Sequence, residues 1–209
     1  MNFRTIQFAL KRVVDIVLCL ILLMILAVPM IIMAFIIKLD GGPILFVAER
    51  AGRHKKLFPV FKFRSMRVDA DKYLDEKGRP TGDRITVVGK VIRRLSVDEL
   101  GQVFNILRGE MSFIGPRPIL PADAESIAPE YARRFDALPG ISGLAQVSGR
   151  NSLPWTRRFE LDVDYVDKYS LLLDLKIILK TFWVVVSGAG MVMDRNPDQV
   201  RDLSKNGQA

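Results

Sequence analysis

The most pronounced hydrophobic pattern in the chain is an uninterrupted apolar run from Ile16 to Ile37, which carries no charged residue. A helix rises about 1.5 Å per residue, so this run is long enough to cross the roughly 30 Å hydrocarbon core of a bilayer. It is longer than the apolar part of a signal peptide, and the residues that follow at 38–40 do not form a small-residue cleavage site. We therefore predict a membrane-embedded helix that stays in the mature protein.

Two features of this run bear on its path through the membrane. Basic residues both precede and follow it, which favours both flanks on the cytoplasmic face. Pro29 lies past the middle of the run, where it removes a backbone donor and can kink the helix. A re-entrant helix that enters the bilayer, bends and returns to the same side fits both features. A single spanning anchor is the alternative, because proline is common in spanning helices.

Shorter apolar stretches after this run indicate a folded polar domain. Residues 40–50 and 55–66 predict two short strands joined by a hairpin turn, with Pro59 unfavourable inside the second. Residues 69–84 are charged and lack an apolar period, which predicts a solvated loop. Residues 87–95 predict a short helix.

The C-terminal half predicts further helices. Residues 121–138 are helical around Pro129, and residues 154–169 form an amphipathic pattern with Phe159, Val163 and Val166 on one side. Residues 171–188 are strongly apolar, which suits a buried helix or a helix at the membrane interface. The predicted fold is α+β, mainly helical with a small β-hairpin or sheet, a proline-broken re-entrant helix and interfacial amphipathic helices.

The composition limits which partners and which catalytic groups the protein can have. The 209 residues suit one domain, and a net charge of +8 favours an anionic partner: nucleic acid, a membrane face or a phosphorylated substrate. The single cysteine, Cys19, excludes an intrachain disulfide. The single histidine, His54, argues against His-rich metal sites and Ser-His-Asp chemistry. Carboxylates are therefore the first candidates for acid, base or nucleophile.

The stretch SVDEL, residues 96–100, has two interpretations. Ser96 and Glu99 match a helix-capping box, and the apolar residues after it fall on one helical face that ends at Gly109. On this interpretation Asp98 and Glu99 only complement the helix dipole.

A functional interpretation rests on the neighbouring arginines. Arg93 precedes the pair, and Arg117 stands between two prolines that restrict its backbone, so its guanidinium is aimed in advance at a phosphate. A carboxylate among arginines is expected to have a lowered pKa, and Asp98 could then attack phosphorus if a divalent cation screens the repulsion. Mg²⁺ takes one or two carboxylates together with phosphate oxygens.

Other polar clusters allow two interpretations each. Lys62 and Arg64 alternate with phenylalanines, which places both charges on one strand face, either to bind phosphate or lipid headgroups or as a solvated edge. The acidic residues Glu160, Asp162 and Asp164 are better explained as the polar face of a helix than as a second metal site.

Five motifs in order resemble the bacterial polyprenyl-phosphate sugar-1-phosphate transferases, the monotopic phosphoglycosyl transferases that begin glycoconjugate and exopolysaccharide assembly. The motifs are KRVVDI, KFRSM, RRLSVDELGQVFNILRGEMSFIGPRP, PGISGLAQVSGRN and FELDVDYV with LDLKI. The resemblance covers about residues 10–188. It departs from the family in having Val28 before Pro29 and Gly101 after DEL, where the family favours serine and proline.

The resemblance implies specific roles. Asp98 and Glu99 match the catalytic dyad, and Asp98 would attack the β-phosphate of a UDP-sugar, release UMP and pass the phosphosugar to polyprenyl (undecaprenyl) phosphate. Mg²⁺ would lie near Asp98, and Arg93, Arg117 and Arg150 would bind phosphates.

The resemblance and the charge pattern also assign the remaining partners. Lys62 is a further phosphate-binding candidate, and Gly149 with Asn151 belongs to a loop around the nucleotide-sugar. The implied organisation is a membrane-embedded helix at 1–40, a cytosolic-face catalytic domain at 41–190 and a polar tail at 191–209, on the bacterial inner membrane in contact with phospholipid. No nucleic-acid motif is present. A non-catalytic membrane-tethered scaffold or anion-binding module is the alternative.

Overall fold

One long helix takes up the whole apolar run. In the computed structural model, which describes residues 3–75, 82–149 and 153–187, helix α1 extends over Phe3–Leu39. It continues through Pro29 as a single helix, so the expected break at the proline does not interrupt it. Among the described residues, α1 is the one helix long and apolar enough to cross a membrane.

Helix α1 has two different faces. On one side Cys19, Met30 and Ile37 are buried against the rest of the protein. On the opposite side apolar residues such as Met24 and Phe35 are 82% and 64% exposed. Such a continuous exposed apolar surface is typical of contact with a membrane or another protein.

The predicted hairpin is confirmed. Strands β1 (Leu45–Ala51) and β2 (Leu57–Phe63) pair antiparallel, from Leu45 opposite Phe63 to Ala51 opposite Leu57. Pro59 lies inside β2 all the same, because each strand of a two-stranded sheet has a free edge on which proline is tolerated.

The remaining described elements are mostly short helices, so the predicted mainly helical α+β fold is confirmed. The α-helices are α2 (Val87–Arg94), α3 (Val103–Arg108), α4 (Pro121–Glu125), α5 (Leu144–Ser148), α6 (Trp155–Asp167) and α7 (Leu171–Ser187); the 3₁₀ segments are Arg53–Lys55, Ala70–Tyr73, Val97–Gln102 and Pro129–Asp136; strands β3 (Ser112–Ile114) and β4 (Gly140–Ser142) pair in parallel.

The buried face of α6 differs from the predicted one. Phe159 is buried as expected, but Leu161, Asp162 and Tyr165 complete that face, while Val163 is only half-buried. Asp162 was expected on the solvated side. It lies inside because a buried arginine binds its carboxylate.

Helix α7 combines a buried side with an exposed apolar side. Ile177 is buried, whereas Leu179, Phe182 and Trp183 are 64%, 73% and 71% exposed. Its one acidic residue, Asp174, turns inward and pairs with Lys11 of α1 at 2.7 Å.

Polar side chains at the start of the apolar run attach α1 to the domain. Arg12 donates to the main-chain oxygens of Ile106 and Leu107 at the end of α3. Asp15 accepts a hydrogen bond from the backbone N–H of Phe113 at 3.2 Å. These contacts fix the position of α1 relative to α3.

We expect Arg12→Met to lower the free energy of unfolding. It keeps most of the apolar stem but removes two charge-assisted hydrogen bonds from α3, a loss of about 2 kcal/mol. Denaturant unfolding in detergent micelles measures the change. Lys176→Met, at an exposed position on α7, is the control; equal shifts in both variants would refute the attachment.

Candidate active site

Asp98 and Glu99 lie in the 3₁₀ segment Val97–Gln102, which connects α2 to α3. The predicted capping box is wrong. Ser96 adopts a left-handed conformation with φ 55° and its side chain makes no capping hydrogen bond. Glu99 instead points toward cations from other elements, which bind a carboxylate more strongly than a local backbone N–H does. The predicted end of α3 at Gly109, with φ 81°, is confirmed.

The 3₁₀ segment packs closely on strand β2. A Cβ atom at Gly101 would lie 2.9 Å from the carbonyl oxygen of Phe61, so the absence of a side chain permits this approach. The close packing brings Lys62, the next residue of β2, beside Glu99.

Asn105 secures the same contact and was missed by the sequence reasoning. It is completely buried, accepts from the Phe61 N–H at 3.1 Å and donates to the Pro59 oxygen at 2.6 Å and to Glu110 at 2.7 Å. It therefore occupies the free edge of β2 with hydrogen bonds from α3. Helical spacing places Asn105 opposite the apolar face predicted for this helix, so the sequence carried no signal of its burial.

Glu99 is the centre of an ion-pair cluster. Its Oε1 accepts from Lys62 Nζ at 3.0 Å and from Arg117 Nη2 at 2.7 Å, and its side chain is only 16% exposed. Burial acts to raise the pKa of Glu99, but the charges and hydrogen bonds of Arg117 and Lys62 outweigh burial and hold the pKa well below its usual range. Glu99 is therefore ionised at neutral pH.

Asp98 has the opposite shift. Burial and then the neighbouring charge of Glu99 raise its pKa above the ordinary value, and three nearby cations oppose the rise without cancelling it. These cations are Lys62, Arg93 and Arg117. The predicted lowering is therefore wrong, because Glu99 engages the arginine and lysine directly. A carboxylate with a raised pKa is a stronger base and nucleophile once ionised.

Two other basic residues considered as phosphate ligands, Arg93 and Arg64, lie in different environments. Arg93 is half-buried and donates through Nε to Ser65 Oγ at 3.0 Å. Arg64 does not share the role of Lys62: it is buried and donates to the Ile37 oxygen at 3.0 Å.

The predicted nucleotide loop is described only in part. Gly149 follows directly after α5. Arg150 and Asn151 lie outside the described residues.

The chain matches the family model "Bacterial sugar transferase" over residues 6–188. It therefore belongs to the bacterial sugar transferase family, which confirms the family predicted from the motifs. This is an enzyme family that includes undecaprenyl-phosphate sugar phosphotransferases.

Individual relatives differ in length. The chain is 40% identical over 185 residues to the "Uncharacterized sugar transferase EpsL" of Bacillus subtilis, covering 87% of this chain and 90% of the relative. It is 40% identical over 200 residues to the undecaprenyl-phosphate galactose phosphotransferase of Salmonella typhimurium, covering 87% of this chain but 41% of that protein. It is 42% identical over 184 residues to the undecaprenyl-phosphate glucose phosphotransferase of Komagataeibacter xylinus, covering 82% and 35%.

The ion-pair cluster predicts a pH-dependent stability. The pKa of Glu99 is lower in the folded protein than in the unfolded chain. Ionised Glu99 therefore contributes its full stabilisation of the fold above pH 4.5, the ordinary pKa, and this contribution is lost progressively as the pH falls below 4.5. We expect Glu99→Gln to be less stable than wild type at pH 7, with a difference that narrows on acidification below 4.5. Urea unfolding across pH measures this, with exposed Glu125→Gln as the control. A difference that is constant with pH would contradict the cluster.

Proposed function

We propose that this protein transfers a sugar-1-phosphate from a UDP-sugar to undecaprenyl phosphate and releases UMP, as the first membrane step of glycoconjugate or exopolysaccharide assembly. The observation that carries the proposal is the half-buried Asp98 beside Glu99, whose carboxylate orients Lys62 and Arg117. The names of relatives support the substrates: one is a UDP-glucose:undecaprenyl-phosphate glucose-1-phosphate transferase from Caulobacter vibrioides, 39% identical over 180 residues.

The reaction proceeds in two displacements. A carboxylate oxygen of Asp98 attacks the β-phosphorus, the bond from that phosphorus to the oxygen bridging the two phosphates breaks, and UMP leaves with the electron pair. A phosphate oxygen of undecaprenyl phosphate then attacks the same phosphorus and displaces Asp98, which gives the undecaprenyl-diphosphate sugar and regenerates the carboxylate. The raised pKa of Asp98 makes it a good nucleophile.

The basic residues bind the substrate phosphates. The side chain of Arg117 is 49% exposed even while it is paired with Glu99, so it remains accessible to a substrate phosphate. Lys62 and Arg93 lie near enough to Asp98 to influence its charge. Glu99 holds Lys62 and Arg117 in place, and we assign it this orienting role.

Asp98 is also the residue we propose to hold Mg²⁺. No direct ion pair joins Asp98 to any described residue, so its oxygens are available as hard ligands. When bound there, the ion would screen the repulsion between the carboxylate and the substrate phosphate.

We assign the nucleotide-sugar to the loop of Gly149, Arg150 and Asn151. Two observations support this assignment. Gly149 directly follows the last residue of α5, and all three residues belong to the motif PGISGLAQVSGRN.

We propose a re-entrant arrangement of α1 at the cytoplasmic face of the inner membrane. The basic flanks favour that face, and contacts at both ends of the apolar run support the return of the chain to one side. Lys11, before the apolar run, pairs with Asp174 of the domain. Ile37, at the other end of the run, accepts a hydrogen bond from Arg64 of the same domain. Both ends of the helix therefore lie on one polar body. The exposed apolar faces of α1 and α7 are the surfaces expected to enter the lipid.

Replacing the proposed nucleophile tests the function. We expect Asp98→Asn to remain folded and to release UMP from UDP-sugar at least about 1000-fold more slowly than wild type. Protein incubated with UDP-sugar labelled at the β-phosphate, without lipid, should retain label in wild type and in the exposed Asp71→Asn control, but not in Asp98→Asn. Undiminished turnover in Asp98→Asn would refute Asp98 as the nucleophile. A wild-type protein that binds UDP-sugar but releases no UMP would favour a scaffold or anion-binding module over the transferase.

Cysteine labelling tests the path of α1. In a Cys19→Ala background, single cysteines at the exposed positions Ala9 and Asp71 report the two flanks of the helix. A membrane-impermeant maleimide should label neither in intact cells and both after permeabilisation. Labelling of position 9 alone in intact cells would establish a spanning helix and refute the re-entrant one.

A further inference from the structure

A buried arginine lies directly behind the proposed phosphate-binding arginine. The side chain of Arg134, in the 3₁₀ segment Pro129–Asp136, is 2% exposed. Its guanidinium lies 5.1 Å from the ring centre of Phe135 and 5.0 Å from that of Phe159. Sequence reasoning missed it, because an arginine followed by an apolar residue carries no signal of burial.

The guanidinium joins three separate parts of the chain. Its Nε and Nη2 donate to Asp162 Oδ2 at 3.1 and 2.7 Å, and Asp162, on α6, is 3% exposed. The same Nη2 donates to the main-chain oxygen of Arg117 at 2.7 Å. The fork geometry of an arginine permits these contacts at one time.

The rest of the segment around Arg117 is also restrained. Pro118 limits the backbone of the residue before it to extended conformations. The oxygen of Pro116 accepts from the Gly140 N–H at 2.9 Å, and the oxygen of Ile119 accepts from the Ala51 N–H at 2.9 Å. Arg134 supplies the restraint at Arg117 itself, between these two.

A buried ion pair often adds no net stability, because a protein with apolar residues of similar volume in its place is often equally stable. What such a pair can supply is a fixed geometry. Here one of its hydrogen bonds ends on the backbone of a residue whose side chain reaches Glu99 at 2.7 Å.

We propose that Arg134 and Asp162 are positioning residues that fix the backbone of Arg117, so that its guanidinium meets both Glu99 and the substrate phosphate. This inference rests on the phosphate-binding role proposed for Arg117. A displacement of about 1 Å in a group that binds the reacting phosphate costs on the order of 100-fold in rate.

The first test compares neighbouring arginines. Arg134→Lys keeps the positive charge opposite Asp162 but loses the fork that also reaches Arg117. We expect kcat/KM for UDP-sugar to fall about 100-fold. Arg133→Lys, whose side chain is 55% exposed in surface ion pairs, is the matched control and should match wild type. Asp162→Asn, which keeps the shape of the side chain, should also lower kcat/KM.

A double-mutant cycle separates positioning from a general structural role. Arg117→Ala removes the guanidinium, so adding Arg134→Lys to it should cost no more than about twofold further, measured with radiolabelled UDP-sugar. Denaturant unfolding of each variant corrects for the folded fraction. If Arg134→Lys does not fold, the same cycle is run with Asp162→Asn.

The outcomes distinguish the two levels of the proposal. Two results would overturn the positioning role and leave the transferase function intact. The first is that the losses of the single variants multiply in the double mutant. The second is that Arg134→Lys is as active as Arg133→Lys while Arg117→Ala is inactive. Full activity of Arg117→Ala would overturn the phosphate-binding role of Arg117 and the positioning role that rests on it. Loss of activity in Asp98→Asn is independent of both.

Discussion

The binding of one carboxylate to two cations connects the parts of this site. Glu99 lies on the 3₁₀ segment between α2 and α3, Lys62 on β2, and Arg117 in the loop after β3; the carboxylate contacts both cations within 3.0 Å. The three elements are separate along the chain, and each brings one charged side chain to the cluster. Because Glu99 satisfies both cations, the cluster stays ionised and the neighbouring Asp98 forms no direct ion pair with a described residue.

The two adjacent carboxylates of the candidate site have opposite pKa shifts. Glu99 is stabilised as an anion by direct contact with Arg117 and Lys62, whereas Asp98 is left with burial and the repulsion of Glu99. Environments that separate the pKa values of two neighbouring acids are typical of catalytic pairs. The proposed mechanism uses this difference: Glu99 orients the cations, and Asp98 is the proposed nucleophile.

Hydrogen bonds join the apolar helix α1 to the elements on either side of the candidate site. Arg12 of α1 binds the last carbonyl groups of α3, the helix that follows the acidic pair, and Asp15 binds the strand that precedes Arg117. In the proposed membrane arrangement, the depth of α1 in the lipid therefore determines how far the site lies from the membrane surface. The proposed reaction needs that distance to be fixed, because a lipid phosphate and a soluble nucleotide-sugar must both reach Asp98.

The sequence by itself determined the apolar helix, the hairpin and the identity of the acidic pair, because hydrophobic periodicity and motif spacing are local properties. Only the tertiary structure decided which side chains contact the pair and how the pKa of each carboxyl shifts. The capping interpretation of Ser96 and the lowered pKa expected for Asp98 both failed, since cations from distant elements bind Glu99. The sequence likewise did not predict the burial of Asp162, because its partner Arg134 lies on another element. Long-range charge pairing has no period along the chain, and it is this pairing that sets the chemistry of the site.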